Sequence, residues 1–183
     1  QGITDEDYGD GTPFAMNTFH AGGTGARPGK DGMDATAFPS GVRNTPVEVN
    51  ETIAPLVIWR KEYREDSGGA GTHRGGIGQI MTIAHSQGKA FAMNCMFDRV
   101  KNPPRGRNGG GDGVAGRIQL DSGPDFNGKG RQTIPSGDRV TVYMPGGGGL
   151  GDPKQRDRDA VARDVLEGYV SEKTAREVYG WEG

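Results

Sequence analysis

The chain has 183 residues, a formal net charge of −2 and 34 glycines, more than twice the usual share of about 7%. Hydrophobic residues make up 32%, enough for one domain with a thin core. The near-neutral charge, without a block of one sign, excludes a nucleic-acid footprint, and no apolar run has the length of a membrane span.

Residues 1–13 are acidic and turn-rich and read as an exposed leading segment. Residues 14–19, FAMNTF, alternate as a short strand. Residues 20–41 form a long glycine-rich connection; an ordered loop of about 20 residues is usually functional. Residues 45–51, TPVEVNE, read as a second strand or an extended lead-in. Residues 55–64 read as a strand, with Trp59 and Tyr63 on one face and Ile58 and Glu62 on the other. Next comes EYREDSGGAGTHRGG, residues 62–76, a charged bend with five glycines in its last nine residues. Glycine has the highest backbone entropy to lose. Such density implies either tight turns or something approaching the backbone closely.

Residues 77–85 and 89–100 read as a hairpin joined through Ser86, Gln87 and Gly88. In its second strand Phe91, Met93, Cys95 and Phe97 face one way. A Pro/Gly loop follows at 102–113, then a strand at 115–120 and a turn-rich stretch at 128–136. Residues 138–144 make a strand in which Val140 and Val142 alternate with Thr141 and Tyr143. The tail is helical. Residues 157–167 place Val161, Val165 and Leu166 on one face, with Gly168 as the stop. Residues 171–179 form a second short helix with Ser171 as N-cap. The expectation is a mainly-β (α+β) fold: a glycine-loop-rich β-sandwich or partly open barrel over residues 1–150, and a tail of two short C-terminal helices over 151–183.

Chemistry-bearing residues are few. His20, His73 and His85 make no HxH or HExxH pattern. His20 precedes a loop with Asp31 and Asp34, from which a mixed nitrogen–oxygen metal site can be assembled; the plainer reading is a strand-end residue. His85 reads as a surface residue beside a turn. His73 sits among glycines with open access. Arg27 and Lys30 in GTGARPGKDG suit a carboxylate or phosphate ligand, and with Asp31 and Arg64 they are the candidates for substrate binding. Asp66, Arg74 and His73 are the candidates for catalysis in the charged glycine bend. Neither GTGARPGKDG nor PGGGGLGDP has P-loop spacing, and no GxSxG is present. Cys95 lies in an alternating apolar strand and reads as a buried, inert thiol, which fits a reducing, cytoplasmic compartment.

Five stretches in order, GGTGARPGKDG, NTPVEVNE, EYREDSGGAGTHRGGIG, PGGGGLGDP and VSEKTAREVYG, resemble the C-terminal part of the hydantoinase B / 5-oxoprolinase family, which also includes large subunits of acetone and acetophenone carboxylases. The resemblance runs from about residue 14 to 181. It implies a part in ATP-dependent opening of a cyclic amide, or in ATP-dependent carboxylation of a ketone. It also implies a hydantoinase A-like partner that binds ATP and phosphorylates the substrate oxygen, leaving the B-like part to handle the activated intermediate. Family members are several times longer. The remaining N-terminal part of the B subunit is therefore an expected partner, and a divalent metal such as zinc or manganese is expected to bind there. This chain alone is then expected to be inactive. A non-catalytic assembly role is the rival reading.

Overall fold

The computed structural model describes residues 2–5, 13–36, 45–123 and 126–183, the first of these as backbone. Among the described residues eight strands form in chain order: β1 (Gly2–Asp5), β2 (Phe14–Asn17), β3 (Leu56–Tyr63), β4 (Gln79–His85), β5 (Phe91–Met96), β6 (Arg117–Leu120), β7 (Lys129–Ile134) and β8 (Arg139–Tyr143). Helix α1 (Val47–Ile53) precedes β3, and helices α2 (Arg158–Leu166) and α3 (Glu172–Glu177) end the chain. The strands make two four-stranded antiparallel sheets, ordered β2-β1-β5-β7 and β3-β4-β8-β6. The sheets do not close into a barrel, which leaves the sandwich of the two expected architectures.

One core fills the space between the sheets. Phe91, Met93 and Cys95 come to it from β5, Met81 and Ile83 from β4, and Val140 and Val142 from β8. These are the alternate positions of each strand, as period-two patterning requires. Strand β4 is buried at all seven positions. Its outer face lies beneath large neighbours: Arg139 stacks over Trp59 at 4.5 Å and Arg117 over Tyr143 at 4.6 Å. A mean stabilisation of about 0.5–1 kcal/mol per such exposed contact is modest, but the aliphatic stems also cover apolar surface.

Several expectations give way here. Strands β4 and β5 are not a hairpin: β4 pairs with β3 and β8, and β5 with β1 and β7. The Ser86–Gly88 link, with Gly88 at φ 68°, instead carries the chain from one sheet to the other. Residues 47–53 form a helix rather than a strand. The alternation of Val47 and Val49 is misleading because Val49 and Ile53 stay exposed. Glu51 accepts the Ile58 N–H at 2.8 Å, tying α1 to the edge strand β3. Residues 129–134 are an edge strand, not turns; only Ile134 of the six is buried, so no alternation marks them. Part of the leading segment is β1, paired on both sides, and residues 6–12 lie outside the described residues. In β3 the register shifts between Ile58 and Arg60, leaving Trp59 as a bulge. Trp59 and Tyr63 therefore meet different neighbours, Arg139 and Tyr169. Leu166 is 87% exposed, and the inward face of α2 is Val161 with Asp164.

The glycines pack a layer of their own beside the sheets. Four segments, 22–33, 67–78, 104–114 and 145–151, run against one another and bond backbone to backbone. Gly147 donates to Gly76 O at 2.7 Å, Gly69 to Gly147 O at 2.8 Å, Gly76 to Thr24 O at 2.8 Å, and Gly111 to Ala70 O at 2.7 Å. Contact is close enough to forbid side chains. A Cβ on Gly147 would lie 1.8 Å from the Thr24 carbonyl oxygen, and one on Gly76 2.0 Å from that of Met33. Neither can move aside without separating two hydrogen-bonded segments. Gly147→Ala is expected to destabilise the chain by about 3 kcal/mol or more. Gly123→Ala, with nothing within 4 Å of the added methyl, should stay within about 0.5 kcal/mol of the parent. Urea denaturation of both variants reads the difference.

Candidate functional site

The charged residues of the glycine bends converge on a buried network. Arg74 and Arg156 are 3% and 4% exposed and Asp164 is 6% exposed. The Arg156 guanidinium forks onto Asp31, with Nη1 at 2.8 Å and Nη2 at 2.7 Å, and reaches Asp164 Oδ2 at 2.8 Å. Arg74 donates to Asp34 at 3.0 Å, to Asp164 at 3.4 Å and to the Gly75 carbonyl at 2.8 Å. The carboxylates also take backbone donors: Asp31 accepts the Arg74 N–H at 2.7 Å, and Asp34 the Ile77 N–H at 2.7 Å. Tyr169 closes the set, with the Arg74 guanidinium 5.1 Å from its ring centroid.

These contacts set the ionisation. Burial works to raise the Asp31 carboxyl, but the hydrogen bonds and charge of Arg156, with the Arg74 N–H, hold it below the ordinary value. Burial pushes Asp164 up against the pull of Arg74 and Arg156. Burial opposes the charge of both arginines, and their carboxylate partners nonetheless raise them. Tyr179, buried against the same cluster, is pushed up to about 12 by burial. The carboxylates of the network are thus committed to guanidinium and backbone donors.

The remaining candidates are placed by this frame. Arg27 and Lys30 exchange two backbone hydrogen bonds, at 2.9 and 3.0 Å, across the Pro28-Gly29 turn, and both side chains are exposed. His73 Nε2 accepts the Gly29 N–H at 3.1 Å, which leaves the ring proton on Nδ1. Arg64 donates to the carbonyls of Ala115 and Met144 at 2.8 and 3.1 Å, closing loops from below. Asp66, at φ 57°, donates its N–H to Tyr169 O and accepts the Ser171 N–H at 2.9 Å, so it anchors the start of α3. Arg27, Lys30, Asp31, Asp34, His73 and Arg74 are therefore brought together. His20 stands apart: its Nε2 bonds Thr18 Oγ1 at 3.0 Å, and its ring lies 6.3 Å from that of Phe97. His85 is buried, at 5% exposed, not a surface residue. Cys95 is buried, and burial raises its thiol to about 11, as an inert cysteine requires.

The residues present do not fit a divalent metal. Asp31 and Asp34 are occupied by guanidinium groups, and among the described residues no cluster of three or more His, Cys, Asp or Glu is arranged to hold an ion. His20, Asp31 and Asp34, from which a metal site could have been assembled, are not grouped as a ligand set, and the plainer strand-end reading of His20 stands. Sequence reasoning also missed Arg156 and Asp164. A signal existed for Asp164, which sits three residues after Val161 on the buried face of α2. Arg156, in a 3₁₀ turn-to-helix junction, had none.

A two-sheet sandwich whose glycine segments are locked by buried ion pairs to a helical tail defines a scaffold with charged loops at one end. The chain belongs to the hydantoinase B/oxoprolinase family, which matches residues 1–153. It is 29% identical over 208 residues to the acetophenone carboxylase delta subunit of Aromatoleum aromaticum, covering 94% of this chain and 30% of that one. It is 32% identical over 149 residues to 5-oxoprolinase 1 of Arabidopsis thaliana, covering 79% of this chain and 12% of that one. Among solved structures, the ATP-dependent caprolactamase of Pseudomonas jessenii superposes with a TM-score of 0.83 at 27% identity, over 98% of this chain and 33% of that one. The chain thus spans 12% to 33% of the length of these relatives.

Removing one carboxylate from the network leaves two arginines short of a partner. Asp164→Ala is expected to cost about 3–5 kcal/mol, read by urea denaturation, with little relief from added salt because the pairs are buried. A second expectation concerns pH. Burial lowers His20 to about 4 from the ordinary 6.5. A histidine with a depressed folded value contributes stability above its unfolded value and loses it as pH falls towards the folded one. Stability should therefore decline between about pH 6.5 and 4 by on the order of 2–3 kcal/mol from this group. Most of that slope should vanish in His20→Gln.

Proposed function

We propose that this chain is the C-terminal scaffold of the B component of an ATP-dependent cyclic-amide hydrolase. The observation that carries the reading is the superposition on an ATP-dependent caprolactamase over 98% of the chain, joined to the family match. Both the caprolactamase and the 5-oxoprolinase names denote enzymes whose substrates are lactam rings. A ring amide is a poor electrophile. Transfer of a phosphoryl group from ATP to its oxygen makes the carbon reactive and supplies a leaving group. Water then adds at that carbon and the ring C–N bond breaks as nitrogen takes a proton, leaving an acyl phosphate that a second water hydrolyses to the carboxylate and free phosphate.

In this reading ATP is bound by a hydantoinase A-like subunit, and any zinc or manganese is bound by the remaining N-terminal part of the B subunit. The complex works in the cytoplasm. Residues 1–150 supply the β scaffold, and the 151–183 tail braces it through Arg156 and Asp164. Arg27, Lys30 and His73 are the groups proposed to meet substrate, because their side chains reach the surface. Asp31, Asp34, Arg64, Asp66 and Arg74 act as positioning residues, since each is committed to loop or tail contacts.

The second reading is a ketone carboxylase component, favoured by the acetophenone carboxylase delta subunit, whose match covers 94% of the chain. ATP consumption that requires bicarbonate and acetone or acetophenone would assign it. For the leading proposal, the purified chain should open neither 5-oxoproline, a hydantoin nor caprolactam. Ring opening with ADP release should appear only when the chain is part of a B component paired with an A-like subunit. Unaided hydrolysis by the chain alone would sink the scaffold reading.

A further inference from the structure

We propose that the tip of the glycine layer is a binding site for a phosphoryl group, formed by Arg27, Lys30, Arg105 and Arg107 around His73. The hub is the backbone of residues 148–151. Gly148 O accepts the Ala26 N–H at 2.9 Å, next to Arg27. A Cβ on Gly148 would lie 2.2 Å from the Arg105 carbonyl oxygen. Arg107 donates its N–H to Gly149 O at 2.9 Å and accepts that of Gly151 at 3.0 Å. His73 and Leu150 exchange backbone bonds at 2.9 and 3.0 Å. Two loops thus bring their cations and a third brings His73 to one segment, and Arg27, Lys30, Arg105 and Arg107 are all exposed.

Two features set this tip apart from a scatter of surface charge. Arg27 and Lys30 are directly opposed across a two-residue turn, and like charges so placed are destabilising unless an anion lies between them. The turn enforces the pairing, since Pro28 and Gly29 at φ 75° follow the residue order of a type II turn. Second, no carboxylate among the described residues pairs with any of the four cations, whereas Arg74 and Arg156 in the same layer are each held by two. Two acids of the adjoining segments are engaged by backbone: one Asp112 oxygen accepts the Gly106 N–H at 2.7 Å, and one Asp152 oxygen the Lys154 N–H at 2.9 Å. His73 adds a donor through Nδ1–H, because the Gly29 N–H occupies Nε2. Guanidinium forks and ring N–H groups suit the oxygens of a tetrahedral phosphoryl group.

This inference deepens the proposed function by naming the phosphorylated species as the ligand of this surface. The phosphoryl group belongs either to a phosphorylated intermediate or to a nucleotide. Titrating the 183-residue chain with inorganic phosphate and with ATP, followed by backbone amide NMR, tests it. Saturable shifts are expected at Gly29, Arg107 and Leu150. Equal affinities assign the site to a single phosphoryl group; tighter ATP binding assigns it to a polyphosphate. The pairs Arg27→Ala with Lys30→Ala, and Arg105→Ala with Arg107→Ala, should each weaken binding at least tenfold. Lys173→Ala on α3 should leave it unchanged. Absence of saturable binding overturns the proposal, as does equal weakening by Lys173→Ala, which marks diffuse charge. Because binding is read without turnover, its failure leaves the hydrolase reading standing, and failure of ring opening in the assembled enzyme leaves the anion site standing.

Discussion

Backbone packed on backbone is the constraint the rest of the structure obeys. Where Gly147 meets Thr24 and Gly76 meets Met33, the distance left for a side chain is near 2 Å. At that spacing the segments satisfy each other's N–H and C=O groups without forming a sheet, as the bonds Gly147 to Gly76 and Gly111 to Ala70 show. The gain is a dense layer in which buried peptide groups are paired. The cost is entropic, since glycine loses more freedom than any other residue, and a glycine brings no side chain to bury.

The ionic network answers that deficit. Arg74 leaves the glycine bend itself, Asp31 and Asp34 come from the first loop, and Arg156 and Asp164 come from the tail. Three of the pairs, Arg74–Asp34, Arg74–Asp164 and Arg156–Asp31, cross between segments, and Arg156–Asp164 braces the tail itself. Such buried pairs add little against a hydrophobic alternative, but breaking one is expensive, so they fix a single arrangement of the loops. The tail carries its own small cluster of Val161, Val170, Ala175 and Tyr179. Asp66 locks α3 to the bend from the other side. Charge here replaces the packing that glycine cannot provide.

The sequence made some of this legible. Strands β2, β3, β5, β6 and β8 and both tail helices announce themselves through alternation or capping, and Ser171 does cap α3 by accepting the Thr174 N–H. Pairing did not announce itself. Strand β4 is buried on both faces, so nothing local distinguishes a hairpin from a crossing to the other sheet. Helix α1 was hidden because its valines alternate while its contact with β3 runs through Glu51. The glycine density was visible, and so was its alternative meaning of close approach. That four segments supply one another's close partner is a tertiary fact. The same holds for Asp31: its chemistry suggested a ligand, but the partner it finds is Arg156, 125 residues later.

A division between committed and uncommitted charge follows. Arg74 in the layer and Arg156 in the tail are buried and paired, whereas Arg27, Lys30, Arg105 and Arg107 are exposed and without an ion-pair partner among the described residues. Leu150 of the 148–151 hub exchanges backbone bonds with His73, the residue before Arg74, so the two sets lie on neighbouring backbone. A rigid base beneath mobile, long side chains reduces the ordering required when a ligand arrives. Locked ion pairs below and free cations above are arranged as a prepared surface is, and this explains why a chain with so thin an apolar core spends so many charges where solvent cannot reach them.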